Sequence, residues 1–88
     1  MANLPTIERA VDLLRNSDYT IAILTSSGEA ITSRERGVAT LMRLLAERAE
    51  VLQGAVVAAI RPKTISKWLR HTVLPLLPRW ILWMPRAR

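Results

Sequence analysis

The chain of 88 residues has no cysteine, one histidine and three glycines. The missing cysteine excludes disulfide staples, a thiolate nucleophile and sulfur ligands to a metal. A reducing compartment suits such a chain, and the cytoplasm is the expected location. A lone histidine, His71, has no spaced partner with which to hold a metal or serve a general base. The first 16 residues contain Glu8 and Asp12 early and no basic region leading into an apolar run, so no secretory signal is expected there. The longest apolar stretch near the end, Val73 to Met84, is interrupted by Pro75, Pro78 and Arg79. A membrane-spanning helix needs about 20 consecutive apolar residues, so this stretch is not expected to span a bilayer.

Acid is also missing from one third of the chain. Residues 1–60 carry six basic side chains (Arg9, Arg15, Arg34, Arg36, Arg43, Arg48) and all seven acids, a net charge of 6 − 7 = −1. Residues 61–88 carry the other seven cations (Arg61, Lys63, Lys67, Arg70, Arg79, Arg86, Arg88) and no acid, which yields the overall +6. All three tryptophans and four of the five prolines fall there too. Two regions are therefore expected: a nearly neutral folded part over 1–60 and a basic Trp/Pro/Arg-rich tail over 61–88. A chain this short has room for one domain with a modest core.

Residue periodicity sets the element order. Ile7, Ala10, Val11 and Leu14 recur at helical spacing, with Pro5 suited to the first turn, Glu8 near the positive end of the macrodipole and Arg15 near the negative end. This predicts a helix over 5–16. Asn16-Ser17-Asp18 is turn chemistry, and residues 19–25 alternate and are rich in β-branched residues, which predicts a strand. Ser26-Ser27-Gly28 closes a hairpin onto a shorter strand over 29–33. Val38, Leu41, Met42 and Leu45 form one stripe of an amphipathic helix over 37–49, its start capped by Ser33 or by the Arg34–Gly37 turn. After Gln53-Gly54, the unbroken apolar run 55–60 reads as a central strand covered on both faces. Residues 64–74 fit a short amphipathic helix with Ile65, Trp68, Leu69, Thr72 and Val73 on one side and Lys67, Arg70 and His71 towards the other.

The segments Ala10-Val11-Asp12-Leu13-Leu14, Asp18-Tyr19-Thr20, Gly28-Glu29, Arg36-Gly37-Val38 with Leu41 to Leu45, and Gly54-Ala55-Val56-Val57-Ala58 keep a distinctive order and spacing. Over residues 7–59 the chain resembles a small prokaryotic family with a cytidine-deaminase-like fold, known as domain of unknown function eighteen ninety-three. The resemblance implies an α/β domain in three layers, with the hairpin and the strand after the second helix in one sheet and further strands and helices to follow. Where the family carries an acidic residue and a Lys- and Gly-containing helix start, this chain has Ala59-Ile60-Arg61-Pro62-Lys63. The expectation is a truncated deaminase-like domain, ordered helix–strand–strand–helix–strand, followed by a basic helical tail.

Zinc deamination requires a His or Cys ligand beside a catalytic Glu at one helix start and paired Cys ligands at the next. The corresponding positions here are Arg36-Gly37-Val38 and the neighbourhood of Pro62-Lys63-Thr64, which rejects that chemistry. No catalytic residue, metal ligand or cofactor is expected. Glu29 and Glu35 could form an acid/base pair only if they faced one cleft, and solvated charges are the plainer reading. The best candidate ligand site is Arg34, Arg36 and Gly37, where two guanidiniums and helix-start N–H groups could receive a small anion, nucleotide-like by fold analogy, against the plainer reading of solvated turn residues and a glycine relieving a bend. Ser26, Ser27 and Ser33 read as turn or capping residues, Tyr19 as packed against the sheet, and Arg9/Asp12 and Arg43/Glu47 as helix-surface pairs.

The tail supports other readings. Lys63, Lys67, Trp68, Arg70, Arg79, Trp80 and Trp83 could contact a membrane surface or nucleic acid, or the segment could fold back over the sheet. The out-of-frame end of a GC-rich gene would also produce this composition. An exposed third strand beside an apolar tail predicts self-association.

Overall fold

A computed structural model of the chain describes residues 6–60, 67, 68, 70, 71, 75 and 79–83. Helix α1 (Ile7–Arg15) begins at Thr6, whose Oγ1 accepts a hydrogen bond from the Arg9 N–H at 3.1 Å. That contact satisfies one of the amides a helix start leaves without a partner, so Thr6 sets the start. Pro5 lies outside the described residues. Strands β1 (Ile21–Leu24) and β2 (Ala30–Ser33) follow as an antiparallel hairpin in the register Ile23↔Ile31. Thr25 ties the turn: its N–H donates to the Glu29 carbonyl, its carbonyl accepts from the Gly28 N–H, and its Oγ1 accepts from the Glu29 N–H and bonds Ser27 Oγ. Gly28 closes the turn at φ +90°, where a side chain would strain the backbone.

A 3₁₀ turn (Glu35–Gly37) leads into helix α2 (Val38–Glu47), and a second 3₁₀ turn (Ala49–Leu52) precedes strand β3 (Val56–Ile60). The first falls on the Arg34–Gly37 turn expected at the helix start, whereas the second is not foreshadowed by the apolar periodicity. Strand β4 (Arg79–Trp83) lies parallel to β3 in the register Val57↔Trp80 and Ile60↔Trp83. The sheet order is β2-β1-β3-β4, with β1 antiparallel to both of its neighbours.

The two sheet faces are covered differently. On one face α1 places Ala10, Val11 and Leu14 against Ala22, Leu24, Val56 and Ala58, with Tyr19, Ile81 and Trp83 packed at the margin. The alanines let α1 approach the strands closely. On the other face Val38, Leu41, Leu45 and Leu52 cover Ile21, Ile23, Val57 and Ala59, and Trp68 is buried among them. All four β1 residues are apolar and buried, so β1 is enclosed on both faces. Burying one large aliphatic side chain is worth about 1.5–3 kcal/mol, so these two clusters hold the layers together.

One expectation is corrected. The third strand is not an exposed edge, because β4 pairs along its full length; the outer strands are β2 and β4. Of the helix expected over 64–74, Lys67, Trp68, Arg70 and His71 are described and helical. Beyond it residues 79–83 add a strand, β4, that the apolar pattern does not foreshadow. Among the described residues no helix is long and apolar enough to cross a membrane.

Candidate functional site

The start of β1 and the ends of β2, β3 and β4 meet at one rim of the sheet, as the registers Ile21↔Ser33, Ile21↔Ala59 and Ile60↔Trp83 require. Thr20 fastens this rim. Its N–H donates to the Ser33 carbonyl at 2.7 Å, its Oγ1 donates to the same carbonyl at 3.3 Å, and its own carbonyl accepts from the Ile60 N–H at 2.8 Å. The chain then leaves β2 through Arg34 in an extended conformation and turns into α2.

A shallow cleft of about 360 Å³ opens here between Asp18, Thr20, Arg34, Glu35 and Arg36. Arg34 Nε lies 3.1 Å from Asp18 Oδ1, both side chains being largely exposed. An anion entering the cleft must therefore compete with Asp18 for Arg34. Arg36 makes no ion pair among the described residues and is exposed, so its guanidinium is the more available of the two. Glu35 offsets part of the positive charge. Two cations and two acids leave the cleft formally balanced, selective for an anion only where Arg36 and the helix start dominate locally.

At that start Gly37 is the N-cap of α2, no side chain caps the helix, and the first turn carries no acid. Among the described residues no side chain accepts from the first amides of α2; the Gly37 and Val38 N–H groups donate instead to the Arg34 and Glu35 carbonyls of the 3₁₀ turn, so an anion here would meet the Arg36 guanidinium and the positive end of the helix rather than those two amides. Gly37 does not relieve a bend: its φ of −95° and ψ of 0° are open to any residue. Space selects it instead, since a Cβ there would lie 2.8 Å from Ser33 Oγ. That hydroxyl does not cap α2 but donates to the Arg34 carbonyl at 2.8 Å.

The other sequence candidates are placed as follows. Glu29 and Glu35 do not share a cleft: Glu29 lines a groove with Leu44 and Arg48 at the opposite end of β2. Asp12 pairs with Arg15 at 3.4 Å, and Arg43 and Glu47 form no ion pair among the described residues. Lys63 lies outside the described residues. Lys67, Arg70 and His71 are exposed. Trp68 is only 8% exposed and belongs to the core beneath α2, which withdraws it from any lipid or nucleic-acid surface. Arg79 and Trp80 belong to β4. Trp83 is half-buried against α1, with the Arg15 guanidinium 6.0 Å from its ring centre. The partners that sequence reasoning missed are Asp18 and Thr20. Asn16-Ser17-Asp18 is legible only as a turn, and nothing local links Asp18 to Arg34.

Among the described residues no three His, Asp or Glu side chains are grouped as a metal site would need. Comparison with protein-family models, curated proteins and solved structures finds no match to this chain.

Proposed function

We propose that this chain is a deaminase-like α/β domain of the family known as domain of unknown function eighteen ninety-three, and that it binds a small anionic, nucleotide-like ligand at Arg34, Arg36 and Gly37 without zinc chemistry. The observation that carries the ligand reading is the cleft at the sheet rim: Arg36 is unpaired among the described residues and stands beside the uncapped start of α2. Strand ends at the rim of an α/β sheet are where such folds place ligands. Support for the family reading is the hairpin and β3 in one sheet with helices on both faces, the core that the resemblance over residues 7–59 implies. Nucleotide-like is an inference from fold analogy. The chemistry of Arg34 and Arg36 in the cleft suits a phosphate or carboxylate.

The test is an NMR titration of the full chain with inorganic phosphate, adenosine monophosphate and cytidine monophosphate. The amides of residues 34–38 are expected to shift in a saturable way. A hydrogen bond to a charged group is worth about 1.5–3 kcal/mol before solvent screening, so Arg36→Ala is expected to weaken binding about three- to tenfold. Asp18→Asn releases Arg34 and is expected to tighten binding by up to about fivefold, the worth of an exposed ion pair. Shifts scattered over the surface, or equal binding by Arg36→Ala, would sink the reading.

A further inference from the structure

We infer that two copies of this chain pair edge to edge through β2, antiparallel about a two-fold axis at Ile31, to make one continuous sheet. Thr25 donates to the Glu29 carbonyl, and bonded and non-bonded pairs alternate along an antiparallel ladder. In the observed register Glu29, Ile31 and Ser33 therefore turn their N–H and C=O groups toward β1, while Ala30 and Thr32 turn theirs outward. Among the described residues the sheet ends at β2, and no described strand lies beside these outward groups.

The edge is built to accept a strand. Natural edges are blunted by short strands, charged side chains, proline or bulges; β2 is short, but its four residues, Ala-Ile-Thr-Ser, carry no charge and no proline, and the charges Glu29 and Arg34 lie just outside them. Open grooves flank the edge on both sheet faces and meet at Ala30: one is lined by Ile31, Leu44 and Val51, the other by Leu13, Asn16 and Tyr19. An added strand sends alternate side chains to opposite faces and needs room on both. Leu44, at 40% exposure the one exposed large hydrophobic among the described residues, sits in the first groove.

The occupant is a second copy because the edge complements itself. With the axis at Ile31, Ala30 lies opposite the partner's Thr32 and Thr32 opposite the partner's Ala30. Both are outward-facing residues, so each pair exchanges two hydrogen bonds. Ile31 then meets the partner's Ile31 in a non-bonded pair, where side chains approach most closely, between the two exposed Leu44 side chains. The same register places Glu29 opposite the partner's Ser33, one residue from the partner's Arg34, and does so twice. Such a contact is isologous and closes at two chains.

Sedimentation of the full chain across the micromolar range, with cysteine cross-linking, tests this. Wild type is expected to approach the mass of two 9.9 kDa chains. Ala30→Lys, a charge at an exposed edge position, is expected to weaken association at least tenfold with an unchanged circular-dichroism spectrum. Because the chain has no native cysteine, any disulfide formed by a single-cysteine variant joins two chains. A non-bonded pair sets Cα atoms about 4.5 Å apart, within disulfide reach, whereas residue 32 and its own copy are diagonal at about 7–8 Å. Ile31→Cys is expected to cross-link and Thr32→Cys is not. A monomer at every concentration, a dimer indifferent to Ala30→Lys, or equal cross-linking at both positions would each overturn the inference.

Discussion

Trp68 decides whether residues 61–88 belong to the fold. It is buried against Leu41, Leu45, Leu52 and the β3 face in the core under α2. Truncating a buried Trp to Ala costs about 3–5 kcal/mol, through lost burial and the cavity left behind. At roughly 0.05–0.15 kcal/mol per residue, a chain of 88 residues has a total stability of about 4–13 kcal/mol. Trp68→Ala therefore removes at least about a quarter of the stability and can remove nearly all of it. For a domain of this size 1 kcal/mol moves Tm by about 4–8 °C, so a fall of about 12 °C or more is expected. Urea unfolding followed by far-ultraviolet circular dichroism suits the experiment, since it does not depend on tryptophan emission. A solvated appendage would behave differently, because surface substitutions usually stay within about 0.5 kcal/mol. A change that small for Trp68→Ala would refute the packing of this segment on the sheet.

Two glycine substitutions probe the connections. Gly54 sits at φ +72°, and a Cβ there would lie 3.2 Å from Ser26 Cβ, so Gly54→Ala is expected to cost about 1–2 kcal/mol in chemical denaturation by loading both strain and contact onto the entry to β3. Gly37→Ala meets Ser33 Oγ rather than backbone strain. Its cost, about 1 kcal/mol in the same assay, is expected to shrink when Ser33→Ala is added, because the two side chains compete for one space.

The first five elements were legible because each is a local pattern: a 3.6-residue stripe in α1 and α2, a glycine-closed turn between β1 and β2, and an unbroken apolar run in β3. Their limits differed by one or two residues from those observed, where Thr6 caps α1 and 3₁₀ turns flank α2. Strand β4 was not legible. Arg79-Trp80-Ile81-Leu82-Trp83 stands between Pro78 and Pro85 in an acid-free segment, and its partner β3 lies about twenty residues back along the chain. Strand propensity expresses fit to a neighbouring surface, which no local pattern reports. The candidate site divides in the same way. Arg34, Arg36 and Gly37 could be read from the helix start, whereas the Asp18 that occupies Arg34 comes from another loop.

Amide hydrogen exchange on β3 tests the central claim, that β4 completes the sheet, most directly. The Ile60 N–H donates to Thr20, so Val56, Ala58 and Ile60 face β1, while Val57 and Ala59 face β4. Protection of all five β3 amides, together with Ile81 and Trp83 but not Leu82 in β4, is the expected result. Protection that alternates along β3, with Val57 and Ala59 exchanging at free-chain rates, would contradict it and return residues 79–83 to the status of an unpaired tail.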